Sequence, residues 1–169
     1  MKSRKMIRIV LLIAIFATAV MIFLFSAEDG EESAETSEGL TLAALRVLVP
    51  DYDARPEAQQ AAFQELAGHI VRKLGHFSEF ALLGGLLLAY LYLRRTDGRF
   101  RLAAPAAWGI AFLYACTDEA HQMFVAGRGP SFGDVCIDAS GAAAGIIAAV
   151  GVVLIIEHIA FGRKMNNEE

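Results

Sequence analysis

Four apolar stretches of about 20 residues each restrict this chain more than any other feature of its sequence. They cover residues 7–25, 74–93, 102–121 and 135–156. A helix of that length spans roughly 30 Å, the thickness of the hydrocarbon core of a bilayer. A backbone in lipid must satisfy its own hydrogen bonds, so each stretch is expected to be helical. Since 56% of the 169 residues are hydrophobic, the sequence predicts one all-α integral membrane domain, a four-helix bundle over residues 1–169.

The first stretch shares some features with a secretory signal peptide, because Lys2, Arg4 and Lys5 precede it. Cleavage after Ala27 would place Phe25 at a position that normally holds a small residue. The apolar stretch is also longer than most signal-peptide cores. We therefore expect a retained transmembrane helix.

The distribution of charge predicts the orientation in the membrane. With the N-terminus in the cytoplasm, that side holds 10 of the 15 Lys and Arg residues, and the outer side holds 15 of the 19 Asp and Glu residues. The loop of residues 94–101 contains four arginines and is the strongest cytoplasmic marker. Both termini are therefore expected inside. The net charge of −4 adds little, because the two faces carry opposite signs.

A long acidic loop follows the first stretch on the predicted outer side. We expect residues 26–38 to be irregular around short helical turns. Residues 41–49 have apolar positions at helical spacing and suit a short helix on the membrane surface. A further helix is expected from about Pro56, running into the second apolar stretch. The alternative for this loop is a plain connector.

Ionisable residues gather near the outer ends of the last three stretches, although such groups are costly inside lipid. Counted from the inner helix ends, Glu79, Asp118 and Asp138 lie roughly 21, 24 and 27 Å up, in the outer third of the core. These depths predict that the ionisable groups meet. The ionisable residues concerned are Arg72, Lys73, His76, Glu79, Asp118, Glu119, His121, Arg128, Asp134 and Asp138, and the neutral Gln122 is four residues from Asp118.

Helical spacing supports such a meeting. Arg72, His76 and Glu79 are four and three residues apart and share one helix face. Asp134 and Asp138 begin a stripe that Gly141 and Gly145 continue at four-residue intervals. Small residues at this spacing let a neighbouring helix approach closely, and Gly84 and Gly85 suit the same purpose on the second helix. Packing lower down would therefore draw the polar ends together.

Two kinds of chemistry fit this cluster. The candidate catalytic residues are His76, Glu79, Asp118 and His121. Together with Asp138, they supply the nitrogen and oxygen ligands that a divalent metal such as Zn²⁺ or Mn²⁺ accepts. The sequence has no HExxH motif. The candidate ligand-binding residues are Arg72, Lys73, Glu119, Gln122, Arg128, Asp134 and Asp138. Arg72 and Arg128 suit either the nearby acids or a phosphate. The plain alternative is a structural, hydrogen-bonded pair of His76 and Glu79 that seals the bundle.

Several other features indicate little. Cys116 and Cys136 each lie two residues from an aspartate, but thiols in apolar helices are more often buried and reduced than paired in a disulfide. Gly127 and Gly129 around Arg128 indicate a tight turn, because the Walker pattern of a phosphate-binding loop is missing from the sequence. No basic, base-stacking patch indicates a nucleic-acid partner. Oligomeric state is not indicated.

Three segments together resemble the VanZ-like family. They are KLGHFSEF at residues 73–80, TDEAHQMFVAGR at residues 117–128 and DVCID at residues 134–138 followed by Gly141, and Phe25 and Ser26 fit the same pattern. The resemblance covers residues of about 20–156. Mild departures occur where the family often has Gln, Tyr, Ser and Pro; the residues here are Glu28, Phe80, Thr117 and Ala126.

The resemblance implies a multi-pass protein of the bacterial cytoplasmic membrane that is associated with low-level resistance to glycopeptide antibiotics, above all teicoplanin. It brings no established reaction. We expect action at the outer leaflet on a lipid-linked cell-wall precursor, another envelope component or a lipoglycopeptide. The alternatives are an intramembrane, metal-dependent hydrolase or transferase acting on a lipid phosphate, and a small ion carrier. The carrier is disfavoured because few polar residues continue toward the inner side.

Overall fold

Five α-helices make up the computed structural model, which describes residues 2–94 and 100–166. They are α1 (Lys2–Ala27), α2 (Gly30–Leu48), α3 (Glu57–Arg94), α4 (Phe100–Gln122) and α5 (Phe132–Asn166), with a 3₁₀ turn at Tyr52–Ala54. Within the described ranges, three helices are long and apolar enough to cross a membrane, namely α1, α3 and the part of α5 up to Ile156. The all-α prediction is confirmed. Most of the arginine-rich loop, residues 95–99, lies outside the described residues.

The outer loop is more ordered than predicted, and the expectation of irregular backbone at residues 26–38 is wrong. Helix α2 begins at Gly30, directly after the cap residue Asp29. The Asp29 side chain accepts hydrogen bonds from the backbone N–H groups of Glu31 and Glu32, both at 2.9 Å. In return, the Glu32 carboxylate accepts from the N–H of Asp29 at 3.4 Å. This reciprocal capping box stabilises a helix start that the serine-rich composition concealed.

Helix α3 confirms the prediction of a helix that starts near Pro56 and continues into the second apolar stretch. At 1.5 Å per residue, its 38 residues extend for about 57 Å, nearly twice the thickness of the hydrocarbon core. The helix is therefore longer than a single crossing of the membrane requires, and α2 packs against it. Thr41 of α2 lies beside Gly68 of α3 at this contact.

Helices α1, α3, α4 and α5 surround one apolar core. Helices α1 and α4 run in the same direction, since the Tyr114 hydroxyl donates to the Ala19 carbonyl at 2.6 Å and Ser26 reaches Asp118 further along both helices. Alanines at four-residue intervals form the buried face of α4 and allow close packing. They are Ala103, Ala107, Ala111 and Ala115.

The contact between α3 and α5 is made by small residues, as the glycine stripe predicts. A Cβ atom added to Gly145 would lie 2.8 Å from the Cα of Ala81, and one added to Gly84 would lie 2.9 Å from the Cα of Ala142. The two backbones therefore touch with no side chain between them. We call this contact the glycine seam; its pairs are Phe77 with Gly141, Ala81 with Gly145, Gly84 with Ala142 and Gly85 with Gly145. Because both numberings rise together, α3 and α5 run in the same direction.

Candidate functional site

Polar residues of α3, α4 and α5 meet, and two of them, Asp118 and Asp138, are among the three that the depth calculation placed at one level, whereas α3 contributes His76 instead of Glu79. His76 of α3, Asp118 of α4 and Asp138 of α5 each bring one ligand atom within 4.8 Å of the other two. The side chains of Asp118 and Asp138 are only 4% and 3% exposed, and His76 is half-buried. We call these three residues the floor cluster.

Hydrogen bonds fix the orientation of Asp118. Its Oδ2 atom accepts from the Ser26 hydroxyl at 2.7 Å and from the Gln122 side-chain amide at 3.2 Å. Its Oδ1 atom is buried without a partner. One carboxylate oxygen is thus held by α1 and α4, while the other remains free for a ligand. From the sequence, only the resemblance to the family indicated Ser26, because a serine at the end of an apolar stretch does not show which helix it faces.

Unpartnered buried polar atoms are concentrated at this end of the molecule. A buried donor or acceptor without a hydrogen bond costs about 1–3 kcal/mol, so a group of them indicates a site rather than a stabilising network. Near the floor cluster, the described side chains with such atoms are His76, Glu79, Asp118, Glu119, His121 and Asp138.

Two other candidates do not join the floor cluster. Glu79 lies on the same helix as His76, but 4.0 Å separates its Oε2 from the His76 Nδ1, and neither atom has a hydrogen-bond partner. The two side chains are thus within ion-pair distance but form no hydrogen bond with each other. His121 stacks on Phe23 of α1, with ring centroids 4.7 Å apart. Its ring is thus directed toward α1.

A cavity of about 210 Å³ opens directly above the floor cluster, and His76 and Asp138 form part of its lining. The first turn of α2 contributes Gly30 and Ser33, which form one wall. The remaining lining residues come from α3, α4, α5 and the turn between the last two helices. They are His69, Arg72, Lys73, Gln122, Gly127, Arg128, Gly129, Asp134 and Ile137.

The cavity contains two cations without partners. Lys73 forms an ion pair and hydrogen bond with Asp134, which offsets its charge. Neither Arg72 nor Arg128 has a side-chain hydrogen bond or ion pair to any residue of the described ranges. Their guanidinium groups are therefore available to an anion, which favours the phosphate alternative over pairing with the nearby acids.

The turn after α4 positions Arg128. Gly127 has φ +72°, a left-handed conformation that glycine adopts without strain, and it packs against Gly30 at the start of α2. The buried Glu119 carboxylate accepts a hydrogen bond from the backbone N–H of Ser131. Glu119 thus holds the turn through one oxygen, which is a positioning contact that the sequence did not indicate.

The two cysteines are both free, so Cys116 and Cys136 form no disulfide. Cys116 is partly buried, whereas Cys136 is exposed on the outer surface of α5, so the expectation of burial is wrong for Cys136. Neither thiol lines the cavity.

Comparison with known proteins agrees with the sequence pattern. A family model described as VanZ/LLP1 matches residues 9–156, a range that includes every residue of the floor cluster and every basic residue of the cavity. No curated protein and no solved structure matches the chain significantly. The chain therefore belongs to the VanZ/LLP1 family of multi-pass membrane proteins.

Proposed function

We propose that this protein acts at the outer leaflet of the bacterial cytoplasmic membrane, where it binds an anionic group of a lipid-linked envelope component or of a glycopeptide antibiotic. The expected result is low-level resistance to teicoplanin. The observation that carries this proposal is that two guanidinium groups, those of Arg72 and Arg128, line one cavity and have no hydrogen bond or ion pair among the described residues.

Arginine suits such a ligand because its planar fork can form two parallel hydrogen bonds with a phosphate or a carboxylate. Asp134 already pairs with Lys73, so it does not compete for these guanidinium groups. The cavity lies beside the middle of α3, at residues 69–76, and next to the start of α2; we expect a lipid headgroup to meet the protein there.

The proposed topology has α4 as a fourth span and both termini in the cytoplasm. Two phenylalanines support placing the Arg128 turn at the outer interface, because Phe124 and Phe132 flank it and are 87% and 78% exposed. Exposed apolar side chains of this size suit the boundary between headgroups and acyl chains. A reporter that is active only in the cytoplasm should be active after Glu169 and silent after Asp53 or Gly129. Activity after Gly129 would overturn this topology.

Expression in a susceptible Gram-positive host tests the proposed function. The protein should raise tolerance to a lipid-tailed glycopeptide more than to one without a tail, because the tail places the antibiotic at the outer leaflet. The Arg128→Lys variant keeps the charge but loses the two-pronged hydrogen bond, so it should lose most of the tolerance. The matched control is Arg46→Lys, an exposed arginine that pairs with Asp53 away from the cavity.

Two outcomes would count against the proposal. Equal tolerance to tailed and tail-less antibiotics would contradict the outer-leaflet placement. Unchanged tolerance in Arg128→Lys, at normal abundance, would remove Arg128 from the ligand site.

A second candidate is a hydrolase or transferase that acts on a lipid phosphate. It is favoured by the position of the His76 imidazole and of two carboxylates directly beneath the cations of the cavity. Phosphate release from a lipid phosphate by the purified protein would select this candidate. An ion carrier is disfavoured, since the described core below the site is apolar, with Leu83, Leu87 and Leu88 buried there.

A further inference from the structure

The floor cluster brings two almost fully buried carboxylates close together. Asp118 and Asp138 come from different helices, yet their carboxylates approach within 4.8 Å and are almost fully buried. Of the basic side chains that line the cavity, Lys73 is paired with Asp134, whereas Arg72 and Arg128 form no hydrogen bond or ion pair with a carboxylate of the described residues. Two carboxylates this close in a water-poor site require a shared proton or a bound cation.

We infer that His76, Asp118 and Asp138 bind a divalent cation of the Zn²⁺ or Mn²⁺ type. One imidazole nitrogen and two carboxylate oxygens form a ligand set that these ions accept. This inference does not depend on the proposed function, because the ligand atoms meet whatever the cavity binds.

Unpartnered atoms provide the independent observation that points to a ligand. The Oδ1 atoms of Asp118 and Asp138 are buried and have no hydrogen-bond partner, although each residue is more than nine-tenths buried. The other oxygen of Asp118 is held by Ser26 and Gln122. Hydrogen bonds that fix the far side of a ligand carboxylate are typical of built metal sites.

The geometry requires little movement. Tetrahedral bonds of 2.0–2.2 Å place ligand atoms about 3.4 Å apart, so side-chain rotations alone can close a set that now lies within 4.8 Å. The three ligands come from three helices whose spacing is fixed by the glycine seam and the alanine face of α4. His76 and Asp138 also line the cavity, so a fourth coordination position would face it and be available to water or to an oxygen of an anion.

Direct metal analysis tests the inference on the full chain. The protein is purified in detergent, stripped with a chelator, equilibrated with Zn²⁺ or Mn²⁺ and analysed by mass spectrometry of its metal content. We expect about one ion per wild-type chain and a melting temperature that rises with metal. Asp138→Asn should lose the bound ion and the metal-dependent rise. Ser26→Ala should keep the ligands but weaken the affinity by about 10–100-fold.

The matched control is His69→Gln, because His69 lies on the same helix and lines the same cavity two turns from His76. It should bind metal as the wild type does, whereas His76→Gln should not. If Asp138→Asn does not fold, the metal content of His76→Gln compared with that of His69→Gln still tests whether His76 is a ligand.

A shared proton makes the opposite prediction. The folded wild type would then contain no ion after equilibration, and Asp138→Asn would be at least as stable as the wild type without metal. Either that result or equal metal binding by wild type and His76→Gln would overturn the inference. Since no antibiotic enters these measurements, their failure is distinguishable from failure of the proposed function.

Discussion

The contact between α3 and α5 has two ends of opposite character. In the glycine seam, the two backbones touch and no polar side chain is involved. One turn further along the same helices, His76 and Asp138 face a cavity, and the described atoms around them include several without hydrogen-bond partners. One pair of helices thus combines a tightly packed end with a polar end that is left incompletely bonded.

This difference shows how the molecule tolerates its site. Unsatisfied polar atoms destabilise the polar end. The seam offsets this cost with close van der Waals packing, which in lipid replaces the hydrophobic effect as the force between helices. If this division is right, changes in the seam should remove the whole protein, and changes at the polar end should remove only its function.

A single methyl group in the seam should have the largest effect. In Gly145→Ala, the new Cβ would overlap the backbone of Ala81 and force α3 and α5 apart, at a cost of about 1–3 kcal/mol or more. We expect lower abundance in the membrane and a lower melting temperature. The control is Gly151→Ala on the same helix, where no atom lies within 4 Å of the new Cβ and helix propensity favours alanine by up to about 1 kcal/mol. Equal behaviour of the two variants would show that the seam does not hold the helices.

Removing charge at the polar end should have the next largest effect, confined to function. Asp118→Asn and Glu79→Gln change shape little, so we expect normal abundance and loss of glycopeptide tolerance. Glu65→Gln, at an exposed position of α3, is the matched control and should keep the tolerance. If these acids were instead part of a structural ion pair, the loss of one partner would cost about 3–5 kcal/mol and the protein itself would disappear from the membrane. Full tolerance at normal abundance would contradict both interpretations.

The smallest effect on function is expected from the residue that only orients the floor cluster. Ser26 is fully buried and donates to Asp118 at 2.7 Å, so Ser26→Ala removes one of the two hydrogen bonds that hold this carboxylate, and Gln122 still provides the other. Tolerance should fall partway, because the carboxylate remains but is held less firmly. Ser140→Ala provides the comparison, since that hydroxyl bonds only its own helix, at the Cys136 carbonyl. A complete loss in Ser26→Ala would mean that Ser26 itself touches the ligand.

The depth of a residue along its helix was predictable from the sequence. The direction in which its side chain points around the helix axis was harder to predict. The rise of an α-helix is constant, so residue counts placed Glu79, Asp118 and Asp138 at one level. The direction of a side chain changes more with each residue, because three residues turn a helix through about 300° and four through about 400°. Gln122 therefore stays on the face of Asp118, whereas His121 is rotated toward Phe23.

The long outer loop was the poorest part of the prediction. Its polar composition suggested irregular structure, whereas the start of α2 depends on a local exchange of hydrogen bonds between Asp29 and Glu32. The sequence does contain the signal for this exchange, which is an acidic residue followed three positions later by glutamate. The contribution of α2 to the wall of the cavity could not be predicted from the sequence, because it depends on the packing of Gly30 against Gly127, and these residues are distant in the sequence.

The repeating seam carries an ambiguity that the polar end resolves. Gly141 and Gly145 are both small and lie four residues apart, so α5 could slide along α3 by one turn, about 5.4 Å, and still find a groove. Such a slip would separate Lys73 from Asp134 and carry Asp138 away from Asp118. The charged groups therefore select one register among several that the apolar surfaces would accept. A protein of this design owes the uniqueness of its structure to the same side chains that make its polar end unstable.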